Sequence, residues 1–248
     1  EIENLWEAFE IIVIDNPYPQ VSKALIVCGS NPRGTAYGLL SLSRMMGVSP
    51  YVWWADVTPA HKSTLSVEGT SLIEKGPSVK YRGIFINDED WGLLPWARKG
   101  IDAKYNSIGP NTYQKIAELM LRLRANTPWP AKHGASRAFW SLNENIKVAD
   151  DYGLIMSSGD PMLRDNLWEW PRFGGNSSNY SYSTNKDMML NYWAQRVGQS
   201  RGHEAIYDIS TRGFQDEPLL GYSSDAEAIK GITGLIADQR KLLRDSIG

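Results

Sequence analysis

Four polar clusters in this chain carry residue types suited to acid–base and anion-binding chemistry. Asn87-Asp88-Glu89-Asp90-Trp91 sets three carboxylates beside an indole. Trp129-Pro130-Ala131-Lys132-His133 joins an aromatic ring to a cation and an imidazole. Ser157-Ser158-Gly159-Asp160 is short and acidic, and Thr211-Arg212-Gly213-Phe214-Gln215-Asp216-Glu217 adds a guanidinium and two carboxylates. Asp88, Glu89, Asp160, Asp216 and Glu217 could each act as a general acid or base. Glycoside hydrolysis uses two such carboxylates, about 5–5.5 Å apart when configuration is retained and about 6.5–9.5 Å apart when it is inverted. Asp90, Asp165 and Glu217 equally suit helix N-caps. The planar fork of Arg212 matches a carboxylate ligand, or a structural salt bridge. His133 could donate a proton or bind substrate. Trp129 could stack on a sugar ring or fill a core.

The elements that would hold these clusters alternate. Tyr81–Ile86, Ala125–Ala131, Leu154–Ser157 and Ala205–Ser210 read as strands. Helices are expected from Asn111 to Arg124, Asn143 to Tyr152, Lys186 to Val197 and Asp225 to Ser246, although Gly231 and Gly234 weaken the last. Trp91–Pro110 reads as a long loop. Strands alternating with helices imply a parallel sheet, whose ligands bind at the C-terminal strand ends, where the four clusters fall. Four such units suit a small doubly wound domain or half of a (β/α)₈ barrel. No GxGxxG or P-loop follows any strand, which argues against nucleotide binding.

Before this array, Phe9–Asp15 and Lys23–Gly29 read as strands and Thr35–Met46 as a helix ended by Gly47. Tyr51–Val57 reads as an aromatic strand or extended segment. The expected organisation is α/β: a partial N-terminal α/β domain over 1–76, then the first four βα units of a truncated TIM barrel over 77–248.

Composition excludes several classes. A net charge of −2 offers no field for a polyanion, so no nucleic-acid partner is expected. No apolar run approaches the ~20 residues of a membrane span. The single cysteine, Cys28, cannot form an internal disulfide and reads as a small buried hydrophobe. The three histidines are far apart and no HExxH or cysteine pair exists, so no metal and no cofactor are expected. The 10 Trp and 12 Tyr suit sugar stacking as well as core packing. Glu1 opens without a signal peptide, as an internal cut of a longer chain would.

Longer segments carry a family resemblance. Ala36-Tyr37-Gly38-Leu39-Leu40-Ser41-Leu42-Ser43, the run Gly47 to Val57 with Trp53-Trp54-Ala55-Asp56, and Lys80 to Leu93 with Asn87-Asp88-Glu89-Asp90-Trp91-Gly92 resemble glycoside hydrolase family 115. Leu123 to Ala131, Ala149-Asp150-Asp151-Tyr152-Gly153, Asn185-Lys186-Asp187 and Ala237 to Lys241 fit the same pattern. The resemblance implies an inverting α-glucuronidase that removes α-1,2-linked (4-O-methyl)glucuronic acid from xylan or glucuronoxylan oligosaccharides. It implies a far longer, homodimeric protein, here expected to be secreted or periplasmic. It implies a site carboxylate at Asp88, pocket walls at Trp129 and His133, a substrate-carboxylate ligand at Arg212 and a basic site residue at Lys241. Spacing alone puts Lys241 on a solvated helix face. The family's general-acid glutamate is expected past Gly248.

Two departures accompany the resemblance. The family reads Ser-Ser-His-x-Glu after strand three; this chain has Ser157-Ser158-Gly159-Asp160. Phe214-Gln215-Asp216 stands where the family commonly has a histidine before the aspartate. A catalytically inactive carbohydrate-binding relative is therefore the alternative to an enzyme, and a self-contained doubly wound hydrolase or binding domain is a third reading.

Overall fold

The computed structural model describes residues 1–68, 71–87 and 89–248. The chain divides into two compact units. The first comprises Glu1–Gly83 with Gln114–Asn126, and the second Ile84–Tyr113 with Thr127–Gly248.

The first unit is built on a hairpin. β1 (Phe9–Tyr18) pairs antiparallel with β2 (Val21–Gly29), and β3 (Leu72–Glu74) pairs antiparallel with β1's other edge, giving the order β2-β1-β3. Cys28 lies in β2 and is half-buried rather than fully enclosed. α1 (Pro32–Met45) follows, capped by Asn31, whose side chain accepts from the Gly34 amide at 2.8 Å, with Pro32 at the first helical position. The aromatic run after it is not a strand: Tyr51–Ala55 forms consecutive turns. The Trp54 indole is taken up by the Lys115 carbonyl at 3.1 Å instead of a strand ladder.

A charged cluster locks this unit. Glu7 is 2% exposed, yet both its oxygens are bonded. Oε1 accepts from Arg33 Nε at 2.6 Å and Asn126 Nδ2 at 2.8 Å, and Oε2 accepts from Arg82 Nη2 at 2.6 Å. A buried charge is tolerable only with such complete pairing.

In the second unit, α2 (Leu93–Lys99) occupies part of the expected Trp91–Pro110 loop. Its seven residues, Gly92 at the N-cap and no side-chain cap gave little sequence signal. α3 (Pro110–Arg122) is divided between the units at Gln114. α4 (Asn143–Asp151), α5 (Glu169–Arg172), α6 (Lys186–Ser200) and α7 (Asp225–Ile247) complete the helices. α6 buries Met189, Tyr192, Trp193, Arg196, Val197 and Ser200, the three-and-four spacing of one helix face. That face packs with Trp170, Tyr180 and Leu235 of α7 into an aromatic core. Gly231 of α7 is accommodated because a Cβ there would come within 2.3 Å of the Tyr222 ring.

Among the described residues, the expected strands and the segments after them pair in parallel at single points, Phe85 with Trp129, Met156 with Ala205 and Pro161 with Asp208. Trp129 donates to the Ile84 carbonyl at 2.9 Å and Ile86 to that of Trp129 at 3.0 Å. Ser157 donates to Pro128 at 3.3 Å, and Ile206 to Met156 at 2.9 Å. Backbone hydrogen bonds thus link the four segments in chain order, but the contacts are too short to form regular ladders. No described helix is long and apolar enough to cross a membrane.

Candidate active site

The short parallel pairs bring loop residues around one cavity of about 420 Å³, within the size range of small-molecule sites. Its lining includes Asn87, Asp90, Lys132, His133, Asp160, Arg212 and Asp216. Every one of these follows the segments bonded above, as parallel α/β architecture requires.

Asp160 is the buried anchor, 3% exposed. Its amide donates to Ser158 Oγ at 3.1 Å, which fixes the turn. Its carboxylate bonds Arg212 Nη2 and lies 3.8 Å from Lys132 Nζ. Burial raises the Asp160 pKa, and the two cations offset that rise only in part. Burial also works against the charge on Arg212, but the carboxylates of Asp160 and Asp216 outweigh it and raise the Arg212 pKa. The Asp208 pKa is likewise raised, first by burial and then by the Asp160 charge.

The Arg212 fork is split between two acids. Nη2 is held by Asp160, while Nη1 is held by Asp216, whose side chain is 75% exposed. The turn that permits this needs glycine: a Cβ on Gly213 would lie 2.0 Å from the Glu217 carbonyl oxygen. Gln215 and Asp216 then adopt left-handed φ of 55° and 68°. Such strain in non-glycine residues persists where surrounding contacts over-determine it, and it concentrates at functional loops. Glu217 is exposed; its carbonyl accepts from the Gly213 amide at 2.9 Å and its amide donates to the Phe214 carbonyl at 3.1 Å.

Glu89 is not part of the cavity lining. It is 2% exposed; Oε1 accepts the His133 amide at 2.7 Å, and the Glu89 carbonyl accepts from Leu94 at the start of α2 at 2.8 Å. His133 Nδ1 stands 3.4 Å from Asp90 Oδ2 and 3.8 Å from Glu89 Oε2. One ligand atom from each of these three residues falls within 4.8 Å of the others, so this group could hold a metal ion.

The other expected site residues are placed differently. Asp88 lies outside the described residues. Trp129 is 37% exposed and meets Phe85 edge to face at 5.5 Å, outside the cavity lining. Lys241 sits on the exposed face of α7, paired with Asp245. Asp165 accepts from the Trp168 amide at 2.8 Å, so it caps the turn into α5. Lys132 belongs to the Trp129–His133 cluster but carries no role of its own in the sequence, and Gly134, Asn166 and Leu167 line the cavity without a sequence signal. Lys132 lies on the same strand end as His133, which was the available signal. Asn166, held by the Tyr180 hydroxyl at 2.8 Å, lies in a loop without periodicity.

A cavity at the ends of parallel segments, walled by carboxylates and two cations, suits a small polar or anionic ligand. The family model for glycosyl hydrolase family 115 matches residues 74–248. A solved structure of BtGH115A, a family GH115 4-O-methyl-α-glucuronidase with specificity for decorated arabinogalactans, superposes with a TM-score of 0.90 at 38% identity. The match covers 100% of this chain and 32% of that one. A search of curated proteins finds no match. The chain belongs to glycosyl hydrolase family 115 and spans about a third of the length of that relative.

Proposed function

We propose that the protein is an α-glucuronidase that releases α-1,2-linked (4-O-methyl)glucuronic acid from xylan by inversion, with this cavity forming part of the uronosyl pocket. The observation that carries the reading is the split fork of Arg212. Asp160, buried, anchors one side of the guanidinium. Asp216, exposed, occupies the side that a uronate carboxylate would take. A substrate carboxylate displacing Asp216 gains a charge-assisted contact with Nη1 of a guanidinium already oriented by Asp160, and Lys132 adds a second positive charge nearby. Asp160 then acts as a positioning residue, since its carboxylate is committed to the two cations. Asp88 remains the proposed site carboxylate, and Glu89 positions the His133 loop.

On this reading residues 77–248 are the first four βα units of a TIM barrel. The full-length protein is proposed to be a secreted or periplasmic homodimer. The 38% identity to BtGH115A favours a second polymer, a decorated arabinogalactan, as the carrier of the same uronosyl group.

The test is uronic acid release by the full-length protein from glucuronoxylan and from glucuronic-acid-decorated arabinogalactan. Wild type should release the acid from at least one polymer, and Arg212→Ala should lose most of that activity. Binding of the polymers without release would support the inactive carbohydrate-binding reading instead.

A further inference from the structure

We infer that Glu89, Asp90 and His133 form a binding site for one divalent first-row cation, Mn²⁺ or Zn²⁺, at the side of the cavity. This goes beyond the glucuronidase reading and does not depend on it.

The donor set is chemically suited. Two carboxylates and an imidazole are the ligand types that first-row divalent ions take, whereas Ca²⁺ and Mg²⁺ favour oxygen-only shells. The spacing is close to what an ion needs. Donors about 2.1 Å from a shared ion stand roughly 3.0–3.5 Å apart when adjacent in octahedral or tetrahedral shells. His133 Nδ1 is 3.4 Å from Asp90 Oδ2 and 3.8 Å from Glu89 Oε2, so a small side-chain rotation brings all three into range.

An independent observation comes from Glu89. Its side chain is fully buried. Oε1 is satisfied by the His133 amide, but Oε2 accepts no hydrogen bond. A buried carboxylate oxygen without a partner is costly. Oε2 is the oxygen turned toward His133 Nδ1, and a cation there would satisfy it. The backbone already fixes the pair, because the His133 amide holds Glu89 in place. Asp90 and His133 both line the cavity, so water or a substrate oxygen could complete the shell from that side.

Calorimetry tests the site directly. The metal-stripped full-length protein is titrated with MnCl₂ and ZnCl₂ in the absence of substrate, with CaCl₂ and MgCl₂ as comparators. The expected result is one equivalent of Mn²⁺ or Zn²⁺ bound per chain, a raised unfolding midpoint, and weakening of at least about 10-fold in Glu89→Gln. Asp90→Asn, at a solvent-accessible position where misfolding is not a concern, should weaken binding similarly. Absence of heat and of any midpoint shift would overturn the inference. So would an Asp90→Asn protein that binds as tightly as wild type, or Ca²⁺ binding tighter than either transition metal. Because no substrate is present, failure here leaves the glucuronidase reading standing, and loss of uronate release leaves the cation site standing.

Discussion

Glu7 in the first unit and Asp160 in the second are both nearly inaccessible, at 2% and 3%, and both face two cations. They do different work. Glu7 has both oxygens hydrogen-bonded, its guanidinium partners are 10% and 21% exposed, and the adjoining cavity is only about 110 Å³. That is a closed lock. Asp160 anchors a guanidinium that is 33% exposed and whose other side is held by a replaceable surface carboxylate, over a cavity of about 420 Å³. A buried carboxylate marks a site when its partners still reach solvent, and marks structure when they do not.

The largest expected effect breaks the lock. Glu7→Ala leaves Arg33 and Arg82 facing a vacated, buried position, and removing one partner of such a pair costs about 3–5 kcal/mol. Hydrogen exchange should show β1–β2 amides opening more easily by that amount, and unchanged protection would remove Glu7 from its structural role.

On the site side, Arg212→Ala should lower kcat/KM for uronosyl substrates by about 100-fold or more, with little change in unfolding midpoint. Arg212→Lys should recover only part of this, because an ammonium cannot make the planar two-point contact. Full recovery would reduce the fork to a simple charge.

Asp165 sharpens the contrast by pH. Burial raises its pKa well above the ordinary carboxylate value, and Oδ2 accepts no hydrogen bond. A raised folded-state pKa contributes stability that is present below the unfolded pKa and is lost as pH rises through the folded one. Asp165→Asn should therefore flatten the decline in unfolding midpoint as pH rises from about 4 toward neutrality. An unchanged pH profile would contradict the burial effect.

The smallest effect belongs to Lys241→Ala, which removes an exposed pair with Asp245 and should change stability by less than about 0.5 kcal/mol and leave uronate release intact. A large loss of activity would return Lys241 to the site expected from the family resemblance.

Sequence made part of this contrast legible. His133, Asp160, Arg212 and Asp216 were reachable because parallel α/β architecture gathers polar residues at strand ends, and all four line the cavity. Lys132 is part of the same strand-end cluster, but its place beside Asp160 and 5.2 Å over the Phe85 ring depends on tertiary packing that spacing does not show. The Glu7 lock was invisible because its partners stand 26, 75 and 119 residues away in the chain. The aromatic run 51–57 misled because aromatic residues favour strands, while here tertiary contacts such as Trp54 to Lys115 hold turns.

The most direct test of the site is calorimetric binding of glucuronate against neutral glucose by the full-length protein, in wild type, Arg212→Ala and Lys241→Ala. Preferential glucuronate binding by wild type and Lys241→Ala, lost by about 100-fold in Arg212→Ala, is the predicted result. Equal affinity for glucose, or glucuronate binding untouched by Arg212→Ala, would contradict it.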